Sequence, residues 1–124
     1  MKRLAGIAAV LAGLIPAASA QEIHDAADLA RYCDHHPADA EGDTPTALAL
    51  VLCYGFLKGV GDTHALVAKT DDARARFCLP GGTLNAEEMR LLFADWARRH
   101  SETLDQAAAT AVTAALSEAF PCDE

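Results

Sequence analysis

The chain has 124 residues, is 52 % hydrophobic and carries a formal net charge of −8 at pH 7. That length fits one domain with one modest core. The acidic balance repels phosphate backbones and anionic lipid, so nucleic acid and the membrane surface are excluded as partners of the mature protein.

The first segment is predicted to be an export signal. Lys2 and Arg3 form a positive start, Leu4 to Ile15 is an uncharged apolar run, Pro16 breaks it, and Ala18-Ser19-Ala20 offers the small residues that a signal peptidase reads. The run is twelve residues, whereas a membrane-spanning helix needs about 20. Gln21, not a cysteine, follows the expected cut after Ala20, so no lipid anchor is predicted. Residues 1–20 are read as a signal peptide and 21–124 as a single mature domain. Without Lys2 and Arg3, 8 basic side chains face 18 acidic ones, a net of −10. Such a field steers basic partners toward the protein.

Every segment of length in the mature chain reads as helix. Asp25 to Cys33 has Ala26, Leu29, Ala30 and Cys33 at three- and four-residue spacing, with Asp25 and Asp28 where the helix dipole favours negative charge. His36-Pro37 ends it, and a loop to Asp43 carries Asp39, Glu41, Gly42 and Asp43. Thr44 is the expected N-cap of a second helix, with Pro45 at its first position. From Leu48 to Val60 the only charge is Lys58, which predicts a central helix buried nearly all round. Gly55 and Gly59 share one face of it, and close approach of another helix is the expected reason.

Residues Thr70 to Arg76 are polar and read as a turn or frayed end. Pro80, Gly81 and Gly82 force the following connection out of helical geometry. Asn85 with Glu88 three residues later is a capping box. Met89, Leu92, Phe93 and Trp96 then form a core stripe, and Arg98, Arg99 and His100 suit a helix C-terminus. Ser101 is expected to cap a last helix to about Ala119, with Leu104, Ala108, Ala111, Val112 and Ala115 facing inward. Phe120-Pro121-Cys122 stops it. The fold class expected is all-α, a small bundle of about four helices with two disulfides.

The four cysteines, Cys33, Cys53, Cys78 and Cys122, all lie in the mature part. An even count in a short exported chain reads as two disulfides, for which three connectivities are open. No close cysteine pair of the zinc-site kind exists. With all thiols paired no cysteine nucleophile remains, and the only mature serines, Ser101 and Ser117, lie outside any nucleophile motif. Asp62, which directly follows the apolar helix face, is read as a hydrogen-bonding or capping residue. His24, Asp34, His35 and His36 lack the spacing of a metal site, and His64 and His100 are read as structural. There is no phosphate-binding loop. The chain is therefore expected to need no cofactor or metal and not to be an enzyme.

Four ordered blocks resemble the Rap/Tai family of immunity proteins. Cys53-Tyr54-Gly55-Phe56-Leu57-Lys58-Gly59-Val60-Gly61-Asp62 is similar to the family's C-x-G-[YF]-x-x-G-x-x-D helix. Phe77-Cys78-Leu79-Pro80 is similar to its F-C-x-P connection, Trp96 to His100 with Leu104 to its aromatic–histidine–leucine stretch, and Ala119-Phe120-Pro121-Cys122 to its terminal A-F-P-C. Ser101 departs from the proline that often follows the histidine. The resemblance runs from about Leu29 to Cys122. It implies a periplasmic, helical, disulfide-bonded protein that binds and blocks a peptidoglycan amidase toxin delivered by type VI secretion, and it suggests a homodimer. The alternative expectation is a small periplasmic chaperone of the acid-stress kind without a toxin partner. The expected pairing is Cys33–Cys53, joining the first two helices across the acidic loop, and Cys78–Cys122, anchoring the tail. Asp39, Glu41 and Asp43 are the expected contacts to a basic toxin rim.

Overall fold

The structure, a computed structural model, describes residues 22–123. The signal peptide expected at residues 1–20 lies outside them. Four helices follow in chain order: α1 (Ala26–Cys33), α2 (Thr44–Thr70), α3 (Ala86–Arg99) and α4 (Ala108–Ala119). Single 3₁₀ turns at Pro37–Ala40, Asp72–Arg74, Pro80–Gly82 and Ser101–Thr103 lie in the connections. Among the described residues there is no strand, only one isolated bridge between Asp25 and Ala107.

Capping chemistry fixes most helix starts. Asp25 accepts the Asp28 N–H at 2.9 Å and opens α1. Asn85 accepts the Glu88 N–H at 2.9 Å while the Glu88 carboxylate accepts the Asn85 N–H at 3.1 Å, so α3 begins with the expected capping box. The cap of α2 is Asp43, not Thr44: its carboxylate accepts the Thr46 N–H at 3.2 Å. Asp and Thr are both good caps, and here the one placed a residue earlier takes the N–H.

The start of α4 corrects the sequence expectation. Ser101 begins a 3₁₀ turn with no side-chain cap, and α4 starts only at Ala108. The intervening residues are held out of helix by α1. The N–H groups of Ala26 and Ala27 donate to the carbonyls of Gln106 and Leu104, both at 2.9 Å. The open end of α1 is thus satisfied by a segment of turns and bends whose carbonyls are free to accept from it. Leu104 still packs against the core from this segment.

The central helix is also corrected. α2 is 27 residues long and runs ten beyond Val60. It buries only Ala49, Leu50, Cys53 and Leu57, one narrow stripe at helical spacing. Leu48, Val51 and Leu66 are 46 %, 64 % and 65 % exposed. The other three helices pack along that one stripe and leave the far face of α2 open. By length and composition α2 alone among the described helices passes for a membrane span, but the Cys33–Cys53 disulfide and the Tyr54–Glu87 hydrogen bond fasten it to the bundle. The expected helix contact at Gly55 and Gly59 is absent: a Cβ on either would meet nothing within 4 Å. Gly61 is the close-approach glycine instead, since a Cβ there would lie 3.3 Å from the Met89 methyl of α3.

The core gathers Leu29, Cys33, Cys53, Leu57, Phe77, Phe93, Trp96, Val112 and Leu116 with small alanines of α4. The disulfides are Cys33–Cys53 and Cys78–Cys122, as expected, and no free cysteine remains among the described residues. The first is fully buried between α1 and α2. The second fastens the tail to the connection before α3, where Cys78 is exposed. Among the described residues one charged side chain enters the core. Arg90 donates two bonds of 2.7 Å to Glu87 and one of 2.8 Å to the Cys33 carbonyl. Tyr54 of α2 donates to the same Glu87 at 2.6 Å. This network ties α1, α2 and α3 together and, chiefly through the Arg90 guanidinium, depresses the Glu87 carboxyl from 4.5 to about 2.

Candidate binding surfaces

The acidic loop between α1 and α2 is shaped by local bonds. The His36 ring accepts the Ala38 N–H at 3.2 Å and opens the turn Pro37–Ala40. Gly42 then takes a φ of 75°, a left-handed conformation that favours glycine. Asp39, Glu41 and Asp43 are all exposed on this one loop. Their roles differ, because Asp43 already serves α2 as its cap. Asp39 and Glu41 have no ion-pair partner among the described residues.

The histidines and Asp62 occupy separate places. Asp34 pairs with Arg98 at 3.3 Å, His24 lies 3.5 Å from Glu22, and Asp62 pairs with Lys58 on the surface of α2. Among the described residues no three His, Cys, Asp or Glu side chains gather closely enough to hold a metal ion. His100 stacks on Trp96 with ring centroids 4.3 Å apart. Ser117 donates to the Arg76 carbonyl at 2.8 Å, a structural bond. His64 stacks on buried Phe77 at 3.6 Å, and its Nε2 accepts the Arg76 N–H at 3.0 Å. Burial lowers its pKa below 6.5 and favours the neutral ring that this bond requires.

The open face of α2 forms the second surface. Its N-terminal half exposes Leu48 and Val51. Its C-terminal half floors a groove of about 640 Å³ between α2, α4 and the connection after α2. Gly55, Phe56, Gly59 and Val60 line it from α2, Thr113 from α4, and Arg74 and Arg76 from the connection. Among the described residues no acidic one lines it. The sequence reading passed over these arginines as part of a polar turn. The available signal was the pattern Ala73-Arg74-Ala75-Arg76, two cations alternating with small residues in an acidic chain.

The described residues thus form a disulfide-clamped helical bundle that presents an acidic loop and an open apolar helix face. The sequence model of one family, described as Rap1a immunity proteins, matches residues 25–122. The chain belongs to this family of immunity proteins. No curated protein and no solved structure matches it.

Proposed function

We propose that this protein is exported to the periplasm and there binds a peptidoglycan amidase delivered by type VI secretion, occluding its active-site cleft without chemistry of its own. The observation that carries this reading is the family match across residues 25–122, which spans all four helices and both disulfides. The two disulfides support an oxidising compartment. Exposed Asp39 and Glu41 are suited to speed encounter with a basic toxin rim, since surface charge raises on-rate more than affinity. Asp43 belongs to the same proposed contact, with a cap to maintain besides. We further propose a homodimer that covers the exposed Leu48 and Val51 of α2.

The test is protection of cells against any amidase found encoded beside this gene, with binding measured on the purified pair. Binding and protection are expected; absence of both removes the immunity reading. For the loop, Asp39→Lys and Glu41→Lys combined with Asp43→Asn reverses charge while keeping a good cap. Association should slow and lose salt dependence; unchanged kinetics exclude the loop. Light scattering at micromolar concentration should give twice the mass of one mature chain, and a monomer refutes the dimer.

A further inference from the structure

We propose that the groove between α2 and α4 is a binding site for a single-chain amphiphilic anion of the fatty-acid class, with the carboxylate at Arg76 and the alkyl chain along α2. This goes beyond toxin binding and does not rest on it.

Three observations converge on that chemistry. The first is shape and polarity. At about 640 Å³ the groove has the volume of a small-molecule site, and the α2 residues that line it are mostly glycine and apolar. Gly55 and Gly59 open its floor, with nothing within 4 Å of where a side chain would begin. From Gly55 to His64, both lining residues, α2 rises about 14 Å, the reach of a medium-length acyl chain.

The second is charge. The whole chain carries 18 acidic side chains, yet among the described residues none lines this groove while two arginines do. Arg74 is engaged by Asp71 at 2.9 Å. Arg76 has no ion pair among the described residues. An arginine left unpaired in so acidic a protein is a ready carboxylate partner.

The third is placement. The Arg76 backbone is pinned at both its polar atoms. Its N–H is held by His64 at 3.0 Å and its carbonyl by Ser117 of α4 at 2.8 Å. Arg76 is therefore anchored at the His64 end of the groove, and the apolar stretch toward Gly55 extends from it. A head group at one end and an alkyl channel leading away is the polarity of a fatty acid, not of a uniformly apolar or uniformly charged ligand.

The probe is dodecanoate, titrated calorimetrically into the mature protein below its micelle concentration, with dodecyltrimethylammonium as the charge-reversed control. One dodecanoate should bind per chain, saturably, and the cationic control should bind at least tenfold more weakly. Arg76→Glu should weaken dodecanoate at least tenfold. Gly59→Leu should abolish binding by filling the channel while raising the melting temperature, because leucine is the better helix former and meets no neighbour. Equal affinity for both amphiphiles, or Gly59→Leu binding like the unmodified protein, overturns the proposal. Loss of dimer in Gly59→Leu with no dodecanoate binding to either form also overturns it and assigns the groove to a second copy.

Discussion

Replacing Glu87 with alanine should destabilise the protein more than replacing Arg90 with methionine. Glu87→Ala removes both 2.7 Å bonds to Arg90 and leaves a guanidinium whose side chain is 6 % exposed with only the Cys33 carbonyl. Each charge-assisted bond contributes roughly 1.5–3 kcal/mol, and a buried charge left unpaired is expensive. The Glu87 side chain is 42 % exposed, so solvent already screens part of the pair, and about 3 kcal/mol is the expected loss. Arg90→Met instead removes the buried charge, and Glu87 regains water. Its main cost is the unpaired Cys33 carbonyl, about 1 kcal/mol. Urea unfolding followed by circular dichroism reads both through the transition midpoint. The acid limb is a second readout. Glu87 is depressed from 4.5 to about 2, so its contribution is complete above pH 4.5 and is lost as pH falls toward 2. At full coupling that is about 3 kcal/mol; with a carboxylate this exposed, on the order of 1–2 kcal/mol remains after screening. Glu87→Ala should flatten the acid limb by that amount. If Arg90→Met is the more damaging change, or the acid limb keeps its slope without Glu87, this account of the network is wrong.

Loss of the α3 capping box in Asn85→Ala should cost about 1 kcal/mol, a drop in melting temperature of roughly 5 °C by calorimetry; no change would show that packing alone sets the start of α3. Limited reduction with trapping by alkylation should label Cys78 and Cys122 well before Cys33 and Cys53, because only the Cys33–Cys53 pair is shielded completely; the reverse order in peptide mapping contradicts the burial argument. His64 is held neutral by burial, so its contribution is complete above pH 6.5 and lost as pH falls below it. His64→Phe, which keeps the stacking on Phe77, should remove that part of the pH dependence in thermal melts; an unaltered profile would place the sensitivity elsewhere.

Where sequence signals were local, they were legible. The Asn85–Glu88 box and the Met89–Phe93–Trp96 stripe act within one or two turns, and α3 forms where they place it. The disulfide pairing was likewise expected in full. What escaped the sequence depends on contacts between distant segments. Residues 101–107 carry no helix breaker, yet they form a 3₁₀ turn and a bend whose Leu104 and Gln106 carbonyls accept from α1, a pairing that no local signal announces. The apolar run of α2 looked like an interior helix because composition does not show that neighbours cover one side only. Gly55 and Gly59 were expected to meet another helix and do not, because which glycine does so is set by the register of Met89, and that falls at Gly61. The groove arginines lay in a segment whose helical periodicity had ended, so nothing on one face linked them to α2.

The backbone bonds from Ala26 and Ala27 to Gln106 and Leu104 also set an order of events. A chain that emerges from its N-terminus presents α1 first, but α1 is only eight residues and its open N–H groups find their acceptors about eighty residues later. A helix this short does not persist alone in water. The first helix to appear is therefore among the last to be secured, and a chain interrupted before Leu104 leaves it with its Asp25 cap alone and without acceptors for the Ala26 and Ala27 N–H groups. Cys33 at its far end is then carried on an unsettled segment while Cys53 and Cys78 are both already present. Correct pairing of Cys33 with Cys53 is therefore expected to improve when oxidation follows synthesis of the region between α3 and α4, a stretch that contains no cysteine.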